Sequence, residues 1–154
     1  MADMVRRGET NAENLVEGAL DLIEKTDNQL KAWAYIDAEG AIASAKLLDE
    51  IRDSGRAIGP LHGVPIGLKD IIDTADMPTE FGSVAFKGHQ PSQDATIVSK
   101  LREAGAVILG KTVTTPFAFM DPSETRNPSN MEYSPGGSSS GSAAAVSAGH
   151  VPVA

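Results

Sequence analysis

Residues Ala106–Leu109 form a short, fully apolar run, and Gly105 separates it from a stretch, Asp94–Glu103, in which Ile97, Val98 and Leu101 recur at helical spacing. An uninterrupted apolar run of this length marks a strand buried on both faces, which in practice means a parallel sheet covered by helices. Upstream, Gly59–Asp70 (GPLHGVPIGLKD) punctuates apolar residues with Gly and Pro, the texture of strand and tight turn and not of helix. Strand, helix and buried strand in succession make one crossover unit, so the chain is expected to be α/β. Asp94 is the expected cap of the intervening helix.

The first third reads differently. Leu15, Val16, Ala19, Leu20, Leu22 and Ile23 recur at three-to-four spacing between Thr10 and Thr26. Thr10 or Asn11 is the expected cap, with Glu13 placed as a capping box asks, and Asn28 is the expected stop. Trp33, Tyr35 and Ile36 suit a short strand. A second helix is expected from Asp37 to about Ser54, ended by Gly55, with Ala41, Ile42, Ala45, Leu48 and Ile51 on one face. Thr114–Tyr133 is irregular, and SPGGSSSGS then leads into a short Ala-rich helix. No internal repeat is visible. One domain over residues 1–154 is expected, with a helical region at 1–58 and a sheet-forming region at 59–154.

Composition narrows the function. The chain has 154 residues, 13 Lys and Arg against 21 Asp and Glu, and a net charge of −8. That balance argues against nucleic acid and against an anionic membrane surface as partners. The absence of cysteine excludes thiol nucleophiles, zinc ribbons and disulfide scaffolds. No apolar stretch approaches a membrane span, and a cytoplasmic protein is expected.

Two segments could carry chemistry. The serines Ser138, Ser139, Ser140 and Ser142 sit in a Gly-rich segment. It reads either as a flexible linker or as an active-site loop whose following helix offers free N–H groups to an anion. Gly137–Gly141 also fits the G-x-S-x-G pattern of a nucleophile elbow. That match is rejected because the residues before it make a poor strand and only His150 follows as a titratable side chain. A Walker loop fails for want of the lysine. His62, His89 and His150 lack metal-ligand spacing and are expected at the surface or in loops; no metal or cofactor is expected. Lys69 ends the apolar segment VPIGLK. It either snorkels or pairs with the adjacent Asp70, or burial disfavours its charged form and leaves an amine able to accept a proton. A Ser–Lys pairing is the best catalytic reading of these residues, although spacing alone does not bring Lys69 to the serines.

GPLHGVPIGLKD, DATIVSKLREAGAVILGKT and PGGSSSGSAAAVSAG, with TRNP at Thr125–Pro128, resemble the amidase signature family of serine hydrolases in order and spacing. The likeness covers nearly the whole chain, and it is the combination that is specific. It implies the N-terminal part of an α/β/α fold around a mixed, twisted sheet, with a Ser–cis-Ser–Lys triad that hydrolyses amides without a cofactor. The family's lysine falls on Lys69. Its cis-serine falls on Ser138, whose peptide bond to Gly137 is implied to be cis. Ser140 stands where many members have glycine and is given a supporting hydrogen bond; Gly137 supports by leaving room.

The family's acylating serine belongs to a further Gly-Gly-Ser segment beyond the helix, and the sequence stops at Ala154 before any such motif. The chain is therefore expected to be truncated before the nucleophile and inactive alone, with apolar strands such as Val107–Leu109 left without neighbours. A small-molecule amide is the implied substrate. The missing C-terminal half as a separate chain, or a homodimer, is the implied partner. The amidase subunit of a glutamyl-tRNA(Gln) amidotransferase and a non-catalytic interaction module are the alternatives; the GGSSSGS form leans towards a stand-alone amidase.

Overall fold

The computed structural model describes residues 1–154. Helix α1 (Ala2–Arg6) precedes the long helix α2 (Ala12–Leu30), strand β1 (Trp33–Ile36) and helix α3 (Ala38–Asp53). Strand β2 (Pro65–Lys69), helix α4 (Thr96–Glu103) and strand β3 (Val107–Thr112) follow, and helix α5 (Ser140–Ser147) closes the series. The sheet has the order β1-β3-β2, with β3 antiparallel to β1 and parallel to β2. The β2–α4–β3 crossover is the unit the apolar run predicts. β3 is buried at every residue and is the central strand, so Val107–Leu109 is not left without neighbours. At the outer edge of β2, Ile66 forms a single parallel bridge with Val153, and Gly67 donates to Val153 O at 3.3 Å.

Helices cover both faces. On one, Val16, Ala19 and Ile23 of α2, Ala41 and Ala45 of α3 and Ala144 and Ala145 of α5 pack on Trp33, Val107 and Leu109. On the other, Val98 of α4 and Met77 pack on Ile66, Leu68 and Ile108. The polar backbone of β3 is satisfied within the sheet while its side chains reach two dry layers, which is why a polar alternation is absent from this strand.

Helix ends depart from the simple cap readings. Asn11, not Thr10, caps α2 by accepting from Asn14 N at 2.7 Å. No capping box forms, because Glu13 pairs with Lys46 at 3.2 Å. The Asp49 carboxylate of α3 accepts the Ala12 and Glu13 N–H groups at 2.8 and 3.0 Å. α2 runs past Asn28 and ends on Lys31 in the left-handed region, φ 53°. Asp94 does not cap α4; it accepts from Ala75 N at 2.8 Å and from Arg102 at 3.0 Å. Asp37 caps α3 through Gly40 N at 3.0 Å. Glu13 and Asp94 are drawn away from their local caps, by Lys46 and by Ala75 and Arg102.

Candidate active site

β2 delivers Lys69 to its C-terminal end, half-buried, and the Gly/Ser segment folds back over that end. The Lys69 Nζ donates to Ser138 Oγ at 2.6 Å. The two residues are far apart in sequence, and three contacts bring them together. Thr115 N donates to Ser138 O at 2.9 Å, Gly141 N donates to Val113 O at 2.9 Å, and the Thr112 and Ser142 hydroxyls meet at 2.7 Å. All three tie the Gly/Ser segment to the chain leaving β3. The segment is thus a docked loop and not a free linker. The helix N–H of Gly141 is spent on Val113 O and is not available to an anion.

The Gly137–Ser138 peptide bond is cis. A Cβ at position 137 would come to 3.0 Å from Thr115 Cγ2, so glycine lets the loop lie against Thr115. Ser140 is fully buried, and its hydroxyl bonds the Ser123 hydroxyl at 2.7 Å. Ser139 is exposed. Of the four serines, only Ser138 meets Lys69.

Asp70 does not pair with Lys69. Its carboxylate accepts from Glu80 N at 3.0 Å and Gly82 N at 3.5 Å, and lies 3.8 Å from Lys111 Nζ. Burial pushes the Asp70 carboxyl above the ordinary range, against the pull of those N–H groups and of Lys111. Lys111 is fully buried and donates to Thr79 Oγ1 at 2.7 Å and Pro78 O at 3.1 Å. Sequence reasoning missed Lys111, Thr115 and Ser123. Lys111 ends an apolar run much as Lys69 does, and that was the available signal. A polar cleft of about 660 Å³ lies along Trp33, Asp70, Glu80, Thr114 and Ser123; Lys69 and Ser138 do not line it.

The histidines divide. His89 is exposed in a loop, as expected, beside Phe81 and Phe86. His62 and His150 follow turns but are buried, not superficial. His62 Nε2 bonds Leu48 O at 2.9 Å. His150 Nδ1 accepts the Trp33 indole N–H at 3.1 Å, and its Nε2 bonds Thr26 Oγ1 at 2.7 Å. Thr26 Oγ1 in turn donates to Leu22 O at 2.7 Å. This chain of bonds requires the neutral ring, with the proton on Nε2. Burial lowers the His150 pKa below its ordinary value, opposed by the Asp27 carboxylate. A base depressed in the fold adds stability that is present above its unfolded pKa, about 6.5, and is lost as pH falls through the folded value. Burial raises the Asp27 carboxyl, so that group has the opposite sign: its contribution is present below its unfolded pKa and lost as pH rises through the folded one. Acidification below about pH 6.5 is therefore expected to lower the melting temperature first through His150. Trp33 is the sole tryptophan, so its fluorescence should report the same step, and His150→Gln should flatten both curves.

Comparison with known proteins identifies the arrangement. A family model described as Amidase matches residues 14–154. A glutamyl-tRNA(Gln) amidotransferase subunit from Acidothermus cellulolyticus is 44% identical over all of this chain, which covers 32% of that protein. Its counterpart in Chloroflexus aggregans is 42% identical, with 94% of this chain covering 31% of that protein. The peptide amidase of Stenotrophomonas maltophilia superposes with a TM-score of 0.92 at 38% identity, over 97% of this chain and 33% of that one. A bacterial aryl acylamidase of the amidase signature family superposes with a TM-score of 0.90 at 30% identity, again over 97% and 33%. The chain thus spans about a third of the length of the proteins it matches. No helix is long and apolar enough to cross a membrane. With the docked Gly/Ser loop, the covered mixed sheet and these matches together, the chain belongs to the amidase signature family.

Proposed function

We propose that this chain supplies a proton-relay pair, Lys69 and Ser138, to a cytoplasmic amide hydrolase that works through an acyl-serine intermediate. The observation that carries the reading is the 2.6 Å bond between Lys69 Nζ and Ser138 Oγ. A neutral Lys69 amine takes the Ser138 proton while Ser138 takes the proton of an attacking serine. The attacking oxygen bonds the amide carbonyl carbon, the C–N bond breaks, and the relay reversed protonates the leaving amine. Water then releases the acid by the same route. Ser140 holds the loop through Ser123, and Gly137 keeps it close to Thr115.

The attacking serine is proposed to lie outside these residues. Within the chain, Ser140 and Ser142 are already engaged with Ser123 and Thr112, and the chain spans only about a third of the length of the proteins it matches. The chain by itself is accordingly proposed to be inactive. In the enzyme that carries it, Ser138→Ala should lower the acylation rate about 10²–10⁴-fold, and Ser139→Ala should leave it within about twofold. Equal losses from both variants, read by single-turnover amine release, would remove Ser138 from the relay.

A second reading is favoured by the 44% identity to the Acidothermus cellulolyticus amidotransferase protein. There the same relay would release ammonia for transfer within a complex instead of into solvent. Copurification with a tRNA amidotransferase partner selects this reading; amide hydrolysis by the protein without one selects the first.

A further inference from the structure

A β-bulge decides which way the second buried lysine faces. Ile66 of β2 lies opposite Ile108 of β3, but the next residue, Gly67, lies opposite Gly110, so Leu109 is an extra residue on β3. An extra residue reverses the alternation of side chains beyond it. Before the bulge, Val107 and Leu109 face α2 and α5, and Ile108 faces the α4 layer. After it, Thr112 faces α5, where it meets Ser142, and Lys111 faces the opposite layer, where it meets Pro78 and Thr79. Lys69 lies opposite Thr112 in the register and shares its side of the sheet; Leu68 lies opposite Lys111 and shares the other. Asp70 joins Lys111 on that far side, at 3.8 Å.

The consequence concerns Lys69. Its immediate neighbour in the chain is a carboxylate, and a carboxylate left without a cation would favour the charged form of any amine nearby. That carboxylate is held away. It accepts two backbone N–H groups from the Glu80–Gly82 loop, its own N–H donates to Thr112 O at 3.0 Å, and its carbonyl accepts from Phe81 N at 3.0 Å. A fully buried ammonium is costly unless it is paired and hydrogen-bonded. Lys111 meets that condition only through Thr79, Pro78 and Asp70. We propose that Lys111 is a positioning residue for Lys69: it holds and neutralises Asp70 on the far face of the sheet, leaving the Lys69 amine to Ser138. The other charged groups around this pair are Glu80 on the loop beside Asp70, and Asp73 and Asp76 beside Lys111.

The inference rests on Lys69 being the proton acceptor, yet it is testable without turnover. The 154-residue chain is labelled with a trace of acetic anhydride at fixed alkaline pH. Labelling of Lys69 is then measured by mass spectrometry relative to the exposed helix residues Lys25 and Lys100. Lys111→Met should lower relative Lys69 labelling roughly three- to tenfold, because the unneutralised carboxylate keeps the amine protonated. Asp70→Asn should raise it, and the double variant should return to within about twofold of the parent. A purely structural role would loosen the site and move both single variants the same way, which would overturn the proposal. So would a Lys111→Met chain with unchanged labelling, or one that Asp70→Asn does not rescue. Should Lys111→Met fail to fold, Asp70→Asn and the double variant still decide: a raised value for the first and a parental value for the second support the proposal, and any other pair of values overturns it. If the labelling pattern holds while Lys69→Arg retains activity, the relay reading falls and the assignment of Lys111 stands.

Discussion

Lys69→Arg, placed in the enzyme that carries this chain, is expected to lose acylation activity about as completely as Lys69→Ala, by about 10²–10⁴-fold. The reason is protonation and not charge. A relay base must give up its proton before the nucleophile attacks, and a guanidinium does not do so in proteins. Arginine would preserve a cation beside Ser138 and would still offer N–H groups to its hydroxyl, so a site that needed only positive charge would keep working. Single-turnover acylation measured for both variants across pH tests this. An arginine variant with near-parental rates would show that position 69 supplies charge alone, and the relay would have to be abandoned.

Gly141→Ala should be strongly damaging although it adds only one methyl group. A Cβ there would sit 2.2 Å from both Ala32 O and Val113 N, which are backbone atoms and cannot swing aside. The first turn of α5 would have to lift from the sheet, breaking the Gly141 N to Val113 O bond and drawing Ser138 away from Lys69. Overpacking of this kind costs about 1–3 kcal/mol and at times more; the backbone contacts place this site at or above the upper end. Gly18→Ala is the control. It lies in the interior of α2 with nothing within 4 Å of the added methyl, and should stabilise by about 0.5–1 kcal/mol. Denaturant midpoints of the two variants should move in opposite directions. If Gly141→Ala unfolds at the parental midpoint, α5 is not anchored by this contact.

Much of the fold is legible along the chain. The three-to-four spacing of Leu15–Ile23 and Ala41–Ile51 marks helices because each must bury one stripe, and Ala106–Leu109 marks a covered strand because it has no polar face to show water. Those signals are local, and local physics suffices to read them. Lys69 and Ser138 are legible only through the resemblance of GPLHGVPIGLKD and PGGSSSGS to the amidase signature family, since spacing alone leaves four serines open. Cap residues are less legible: Asn11, one of the two expected candidates, caps α2, but Glu13 and Asp94, which have the right chemistry, are taken by Lys46 and Arg102.

What only the tertiary structure decided is where polar side chains end up. Strand alternation already turns Asp70 away from Lys69, but nothing along the chain says that Lys111 will meet it; the bulge at Leu109 does, by turning Lys111 to the far face. His62 and His150 lie in loops, as expected, but are buried: each loop returns under a helix and the rings find partners at Leu48, Thr26 and Trp33. Periodicity along the chain records which surfaces must leave water. Which donor meets which acceptor inside is set by the register of strands and the crossing of distant segments, and a linear sequence carries that only through the whole fold.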